Sequence, residues 1–204
     1  MKINRRLEVP TGDILVVEGD HGLLEMLSIG DYGKDVNLNQ NQPVPDGLPM
    51  LPLEEKWVIT ISTQYGCSMG CEFCDVPKVG RGRNASLGDL IEQVRVGLAL
   101  HPEVKHTKRL NLHFARMGEP TFNYNVIAAA RWLRTYFEQM GWGFHPVVST
   151  MMPKRNDGIN SFIGDWIDFK NKDCHGNAGL QLSINSTTEP QRHRMFNGNA
   201  MAIQ

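Results

Sequence analysis

The chain has 204 residues, 41% hydrophobic and 21% charged, enough for one domain with a buried core. Its 21 Lys and Arg against 22 Asp and Glu leave a net charge of −1, which excludes a disordered acidic tail and a strongly basic nucleic-acid module. No apolar run approaches the ~18 residues of a membrane helix, and the basic start over residues 1–6 has no apolar secretory stretch behind it. Three of the four cysteines crowd between 67 and 74, a poor disulfide framework, so the chain reads as cytoplasmic and reduced.

Residues 13–18, the polar turn Gly19-Asp20-His21-Gly22 and residues 23–29 read as a β-hairpin. Residues 37–52, rich in Asn, Gln and Pro, read as a linker, so residues 1–56 form an N-terminal hairpin extension and 57–204 the core. A β-branched strand is predicted over 57–62. A helix follows over 86–100, with Leu87, Leu90, Ile91, Val94 and Leu98 at helical spacing and Ser86 with Asp89 as a capping pair. A strand over 109–114 precedes a helix over 123–140, whose apolar face runs from Val126 to Phe137 and which Gly141 stops. A strand over 145–149, a weaker helix marked by Phe162, Trp166 and Phe169, and a strand over 180–184 complete the series.

Strand starts near 57, 109, 145 and 179 are spaced by about one βα unit, so the fold class is α/β with parallel strands, a partial (βα) barrel. About twenty residues follow the last strand with no closing helix pattern. Four units leave a sheet edge open. The expectation is the front portion of a longer protein, or a chain whose barrel a second polypeptide completes.

Cys67-Ser68-Met69-Gly70-Cys71-Glu72-Phe73-Cys74 has the spacing C-x3-C-x2-C and follows the first parallel strand, where βα folds place their chemistry. Three thiolates on one short loop can hold three irons of a [4Fe–4S] cluster and leave the fourth open to a substrate. Two other readings stay open. A structural zinc site would need a fourth ligand from Cys174, His113 or His175, giving a non-catalytic metal-binding module. Unrelated buried cysteines are the other.

This spacing, with the aromatic Phe73 before the last cysteine, resembles the signature of the radical S-adenosylmethionine (SAM) superfamily. The wider segment over 62–74, then Gly80 and Arg83-Asn84, is similar to the cluster loop of the RlmN/Cfr family of RNA adenine methyltransferases. Met117-Gly118-Glu119-Pro120 with Asn123, then Ser149-Thr150, then Leu182-Ser183-Ile184-Asn185 with Arg192, resemble that family's later segments in the same order. The resemblance runs from about residue 10 to 204.

It implies a radical SAM barrel and an iron–sulfur enzyme. The cluster would sit on Cys67, Cys71 and Cys74, and reductive cleavage of SAM would give a 5′-deoxyadenosyl radical. A reductant such as flavodoxin or ferredoxin would supply the electron, and an RNA or nucleoside would be the substrate. Glu119, on the turn made tight by Gly118 and Pro120, suits the SAM ammonium. Ser149, Ser183 and Asn185 offer hydrogen bonds to its ribose and carboxylate, although the family has His at the position of Asn185. The alternative reading of these residues is ordinary turn and cap chemistry.

Glu25 matches the family's general-base glutamate, the other reading being an outward strand glutamate. Lys78, Arg81 and Arg83 read as a solvated loop or a phosphate contact. Cys174, among Lys172, Asp173 and His175, reads as a free surface thiol. Two departures separate the chain from the family. Thr60 stands where the family has a cysteine seven residues before the first cluster cysteine. The family's methyl-carrying cysteine lies beyond residue 204. A hydroxyl cannot replace a thiolate, so methyl transfer is not implied.

Overall fold

Seven strands form one sheet in the order β1-β2-β3-β4-β7-β8-β9 in a computed structural model that describes residues 1–32 and 50–203. The first three strands, β1 (Lys2–Val9), β2 (Gly12–Gly19) and β3 (Gly22–Ile29), are antiparallel. The expected hairpin is β2–β3, turning at Asp20-His21. The first strand was not expected. Its residues are almost all exposed and mostly charged or polar, the composition of a protected sheet edge rather than of a buried strand.

β3 pairs antiparallel with β4 (Trp57–Ile61) through Leu27 and Thr60, so the sheet is continuous across residue 56. Most of the linker expected over 37–52 lies outside the described residues; 50–52 carry no regular element. β4, β7 (Leu110–Phe114), β8 (Phe144–Thr150) and β9 (Gly179–Leu182) are parallel and adjacent in chain order. That is the expected run of βα units, with the sheet left unclosed at β1 and β9 among the described residues. A two-stranded ribbon, β5 (Gln64–Gly66) with β6 (Arg81–Asn84), stands beyond the C-terminal end of β4.

Three helices follow the parallel strands. α1 (Leu87–Ala99) starts at the expected Ser86–Asp89 capping box. α2 (Asn125–Gln139) ends before Gly141, whose φ of +71° suits only glycine comfortably. α3 (Ile159–Asp168) runs into a π-helical turn over Phe169–Asp173. A fourth helix, α4 (Glu189–Met195), corrects the expectation that no helix follows the last strand. It has only Arg192 buried, so no apolar stripe announces it. Proline in its first turn, Glu189 at its start and basic residues at its end are the signals it carries.

Alternation sorts the two faces of the sheet. Trp57, Ile59, Ile61, Leu110, Leu112 and Phe114 point into the core under the helices. Trp57 Nε1 donates to Ser28 Oγ at 3.0 Å and Ser28 Oγ to the Gly97 carbonyl at 3.2 Å, pinning β3 and β4 to α1. On the other face stand the half-buried Thr60, Asn111, His113 and Ser149. This open polar face leads up to the strand ends where the cysteines lie. No helix among the described residues is long and apolar enough to cross a membrane.

Candidate functional site

The cysteine loop begins where β5 and β6 cross. Gly66, at φ +77°, meets Gly80 so closely that a Cβ would lie 2.2 Å from the Gly80 carbonyl carbon, and Cys67 N–H donates to the Gly80 carbonyl at 3.2 Å. Gln64 is the fastener. Its Nε2 donates to Asn84 Oδ1 at 2.8 Å and the Gly82 carbonyl at 3.0 Å, while its Oε1 accepts Glu119 N–H at 3.1 Å. Gly118, at φ +97°, would place a Cβ 2.6 Å from Gln64 Cβ, so only glycine lets the two loops touch.

Cys67 and Cys71 are buried with Met69 and Phe196; Cys74, half-buried, packs against them. Burial pushes the Cys67 thiol up, against the N–H groups of Met69 and Gly118 that favour its thiolate. Cys71 is pushed up to about 12, first by burial and then by Cys67 and Cys74. Its Sγ lies 3.4 Å from Met151 Sδ. The buried thiols of Cys67 and Cys71 ionise more readily beside a cationic partner, a charge that iron would supply. The soft donor set fits an iron–sulfur cluster.

Among the described residues no three His, Cys, Asp or Glu side chains converge on one ion, Cys67, Cys71 and Cys74 included. Cys174 and His175 precede β9 and therefore lie at the opposite end of the strands. Cys174 is also not the surface thiol expected. It is 2% exposed, packed in the main core beside Arg134, and held up at about 11 by burial.

Glu119 is 0% exposed. Its Oε1 accepts from Thr150 Oγ1 at 2.6 Å, Thr121 Oγ1 at 2.8 Å and Thr121 N–H at 3.2 Å, and its Oε2 from Met151 N–H at 3.0 Å. Burial raises its pKa and these donors oppose the rise. Asn123 caps the site from beneath, donating to the Thr63 and Ala85 carbonyls at 2.8 and 2.9 Å. Ser149 Oγ donates to Gln181 Oε1 at 2.7 Å on the open face. Ser183 N–H bonds the Thr150 carbonyl at 2.9 Å, and Asn185, exposed at φ +60°, follows it. Ser149, Ser183 and Asn185 thus lie at the C-terminal ends of β8 and β9, on the same edge of the sheet as the Glu119 turn.

Glu25 also comes near. It is half-buried on β3, forms an ion pair with Arg116, and lines a cleft of about 500 Å³ with Tyr65, Gly66, Val76 and Met117. Its carbonyl accepts Ser62 Oγ at 2.5 Å. Lys78, Arg81 and Arg83 are exposed beside the loop, Lys78 pairing with Asp75. Sequence reasoning quoted Gln64 and Thr150 within the resembling segments without giving them a role, and it missed Met151 and Phe196; all four act across 30 or more residues of chain or through packing alone. The polar run Ser62-Thr63-Gln64, directly after a β-branched strand, was the one available signal.

A parallel sheet with helices on one face and a three-cysteine loop at its C-terminal edge has the fold of a radical SAM protein. A crystal structure of a radical SAM methyltransferase from Sphaerobacter thermophilus overlays with a TM-score of 0.50, covering 98% of this chain and 64% of that one at 17% identity. In sequence the chain is similar to the RlmN proteins. It is 32% identical over 110 residues to the dual-specificity RNA methyltransferase RlmN of Sulfurovum sp. (strain NBC37-1), spanning 54% of this chain and 29% of that protein. A probable dual-specificity RNA methyltransferase RlmN of Flavobacterium psychrophilum is 31% identical over 150 residues, 72% of this chain and 40% of that protein. The matched region is thus less than half of either relative's length. No family model matches the chain. The resemblance carried by the cysteine loop and the later motifs is borne out.

Proposed function

We propose that this chain is a radical SAM iron–sulfur enzyme, acting on an RNA or nucleoside as its RlmN relatives' names describe for them. The observation that carries the reading is the three-thiol loop, which packs against the Gly118-Glu119 turn at the C-terminal ends of parallel strands. Cys67, Cys71 and Cys74 would hold a [4Fe–4S] cluster. When bound with SAM and reduced by one electron, that cluster supplies a 5′-deoxyadenosyl radical.

This chain's own residues do the placing. Glu119 Oε2 accepts a single protein hydrogen bond, so a second acceptor direction would serve the SAM ammonium once the segment over this fully buried carboxylate moves aside. Ser149, Ser183 and Asn185 offer hydroxyl and amide groups at the neighbouring strand ends for its ribose and carboxylate. The open polar face and the Glu25 cleft receive the substrate, with Glu25 as the base, oriented by Arg116. A flavodoxin or ferredoxin type reductant delivers the electron. A second reading is an RNA methyltransferase of the RlmN type, the chain spanning less than half the length of these relatives.

Anaerobic reconstitution tests the reading. The expected product is a brown protein with about four irons and four sulfides per chain. Replacing Cys67, Cys71 and Cys74 together should abolish it, while Cys174→Ala should not. A colourless protein carrying one zinc would establish the metal-binding module instead.

A further inference from the structure

Arg192 is 5% exposed, and its guanidinium is surrounded by main chain. Nε donates to the Met201 carbonyl at 3.1 Å, Nη1 to the Ser183 and Ile184 carbonyls at 2.9 and 2.6 Å, and Nη2 to the Met151 carbonyl at 3.0 Å. These acceptors satisfy its hydrogen bonds but not its charge. No carboxylate among the described residues pairs with it, and Glu189, one turn earlier on α4, spends its Oε1 on Ile203 N–H. Buried arginine is almost always paired with an anion, so an unpartnered one calls for an explanation.

Across one ring from it lie two of the loop cysteines. The guanidinium carbon sits 4.6 Å from the centre of the Phe196 ring, and Phe196 packs with Cys67, Met69 and Cys71. Met151 joins the same two groups, its carbonyl bonded to Arg192 and its sulfur against Cys71. The segment around α4 is fastened to the cysteine loop as well. Glu72 N–H donates to the Met195 carbonyl at 3.0 Å and Asn199 Nδ2 to the Met69 carbonyl at 2.7 Å.

We propose that Arg192 is a positioning residue for the three-thiol site. It locks the segments after β8, β9 and α4 around the cysteine loop, and it places a buried positive charge across the Phe196 ring from the loop cysteines. The proposal rests on the cluster reading above. Three thiolates and Glu119 would otherwise concentrate negative charge in a low-dielectric pocket, where a nearby cation counts for more than in water. Arginine suits both tasks, since its planar fork reaches carbonyls from three segments that the three donors of a lysine cannot span together.

The test uses the full chain, reconstituted anaerobically, with Arg192→Gln and Arg192→Lys beside the wild type. Iron and sulfide content, iron retention against a chelator and the midpoint potential of the bound cluster are measured, with circular dichroism of each protein as the folding control. Arg192→Gln should retain iron about 10- to 100-fold less well, as loss of an outer partner of a metal site does. Its potential should move to more negative values, because removing a nearby cation opposes gain of an electron. Arg192→Lys should lose part of the retention and keep a potential close to wild type. If Arg192→Gln does not fold, that Arg192→Lys pattern carries the test. Wild-type retention and potential in folded Arg192→Gln would overturn this proposal alone. Weaker retention at an unchanged potential would overturn the charge role. A wild-type chain that takes up no cluster would overturn both this and the reading it rests on.

Discussion

Thr150 Oγ1 donates to Glu119 Oε1 at 2.6 Å, joining the end of β8 to the turn after β7 with both side chains fully buried. The pair holds two strand ends in register over the cysteine loop. Thr150→Val keeps the shape and removes the donor to a buried carboxylate. It should cost about 1.5–3 kcal/mol, read as a lower urea midpoint at unchanged m-value. An unchanged midpoint would show that the bond contributes nothing.

Glu119 also sets a pH dependence. Burial raises its pKa in the fold above the ordinary value of 4.5. The folded state therefore binds the proton more tightly than the unfolded chain. The associated stability is complete below about pH 4.5 and is lost as pH rises through the folded value. In the metal-free protein, the stability of the wild type relative to Glu119→Gln should fall as pH rises from about 4 to 8. Urea unfolding across that range checks the slope, and a flat difference would contradict it. In the cluster-loaded protein Glu119→Ala should weaken SAM binding about ten- to a hundred-fold, the cost of a lost charge-assisted partner.

The cysteines should alkylate in a set order. Cys74 is the most exposed, Cys67 and Cys71 are buried, and Cys174 lies in the core. Burial pushes the Cys71 thiol up to about 12, so its reactive thiolate is scarce at pH 8 and grows as pH rises. Iodoacetamide labelling of the metal-free protein with peptide mapping should show Cys74 modified first and Cys71 far behind. Equal labelling would mean the loop opens in solution.

What the sequence makes legible here is local. The C-x3-C-x2-C spacing, the Ser86–Asp89 cap and the apolar periodicity of α2 each lie within a few residues of chain, so they can be read without the fold. The buried state of Glu119 cannot, since Gly118 and Pro120 look like an exposed turn until Thr150, Met151 and Thr121 close over it. Cys174 was misread for a similar reason. Its neighbours Lys172, Asp173 and His175 are polar and exposed, while the thiol alone turns inward beside Arg134. β1 escaped notice because an edge strand needs no apolar face. Gln64, Phe196 and Arg192 work through contacts that only the fold creates.

The Glu25–Arg116 pair tests how the cleft beside Tyr65 is held. Both side chains are about one-third exposed, so the pair should behave as a surface salt bridge. A double-mutant cycle with Glu25→Gln and Arg116→Ala should give a coupling of about 0.2–1 kcal/mol, with cluster content unaffected. Coupling well above that range would place the pair in the fold's core support rather than in the cleft.

The reaction itself should part from that of the methyltransferases the chain resembles. Supplied with a reductant, SAM and RNA, the reconstituted 204-residue chain should form 5′-deoxyadenosine and no C2-methyladenine. Methyl transfer in that family needs thiols outside the cluster, and Thr60 occupies the position of one of them. Thr60 sits half-buried on the open face, paired in register with Leu27 and His113, where a hydroxyl stays un-ionised at any working pH. Cys174 cannot stand in, because it precedes β9 at the far end of the strands and its thiol is held at about 11. Mass spectrometry of the digested RNA reads the outcome. Methylated adenine above the level of a Cys67, Cys71 and Cys74 triple-alanine control would refute the assignment of Thr60 as the missing thiol.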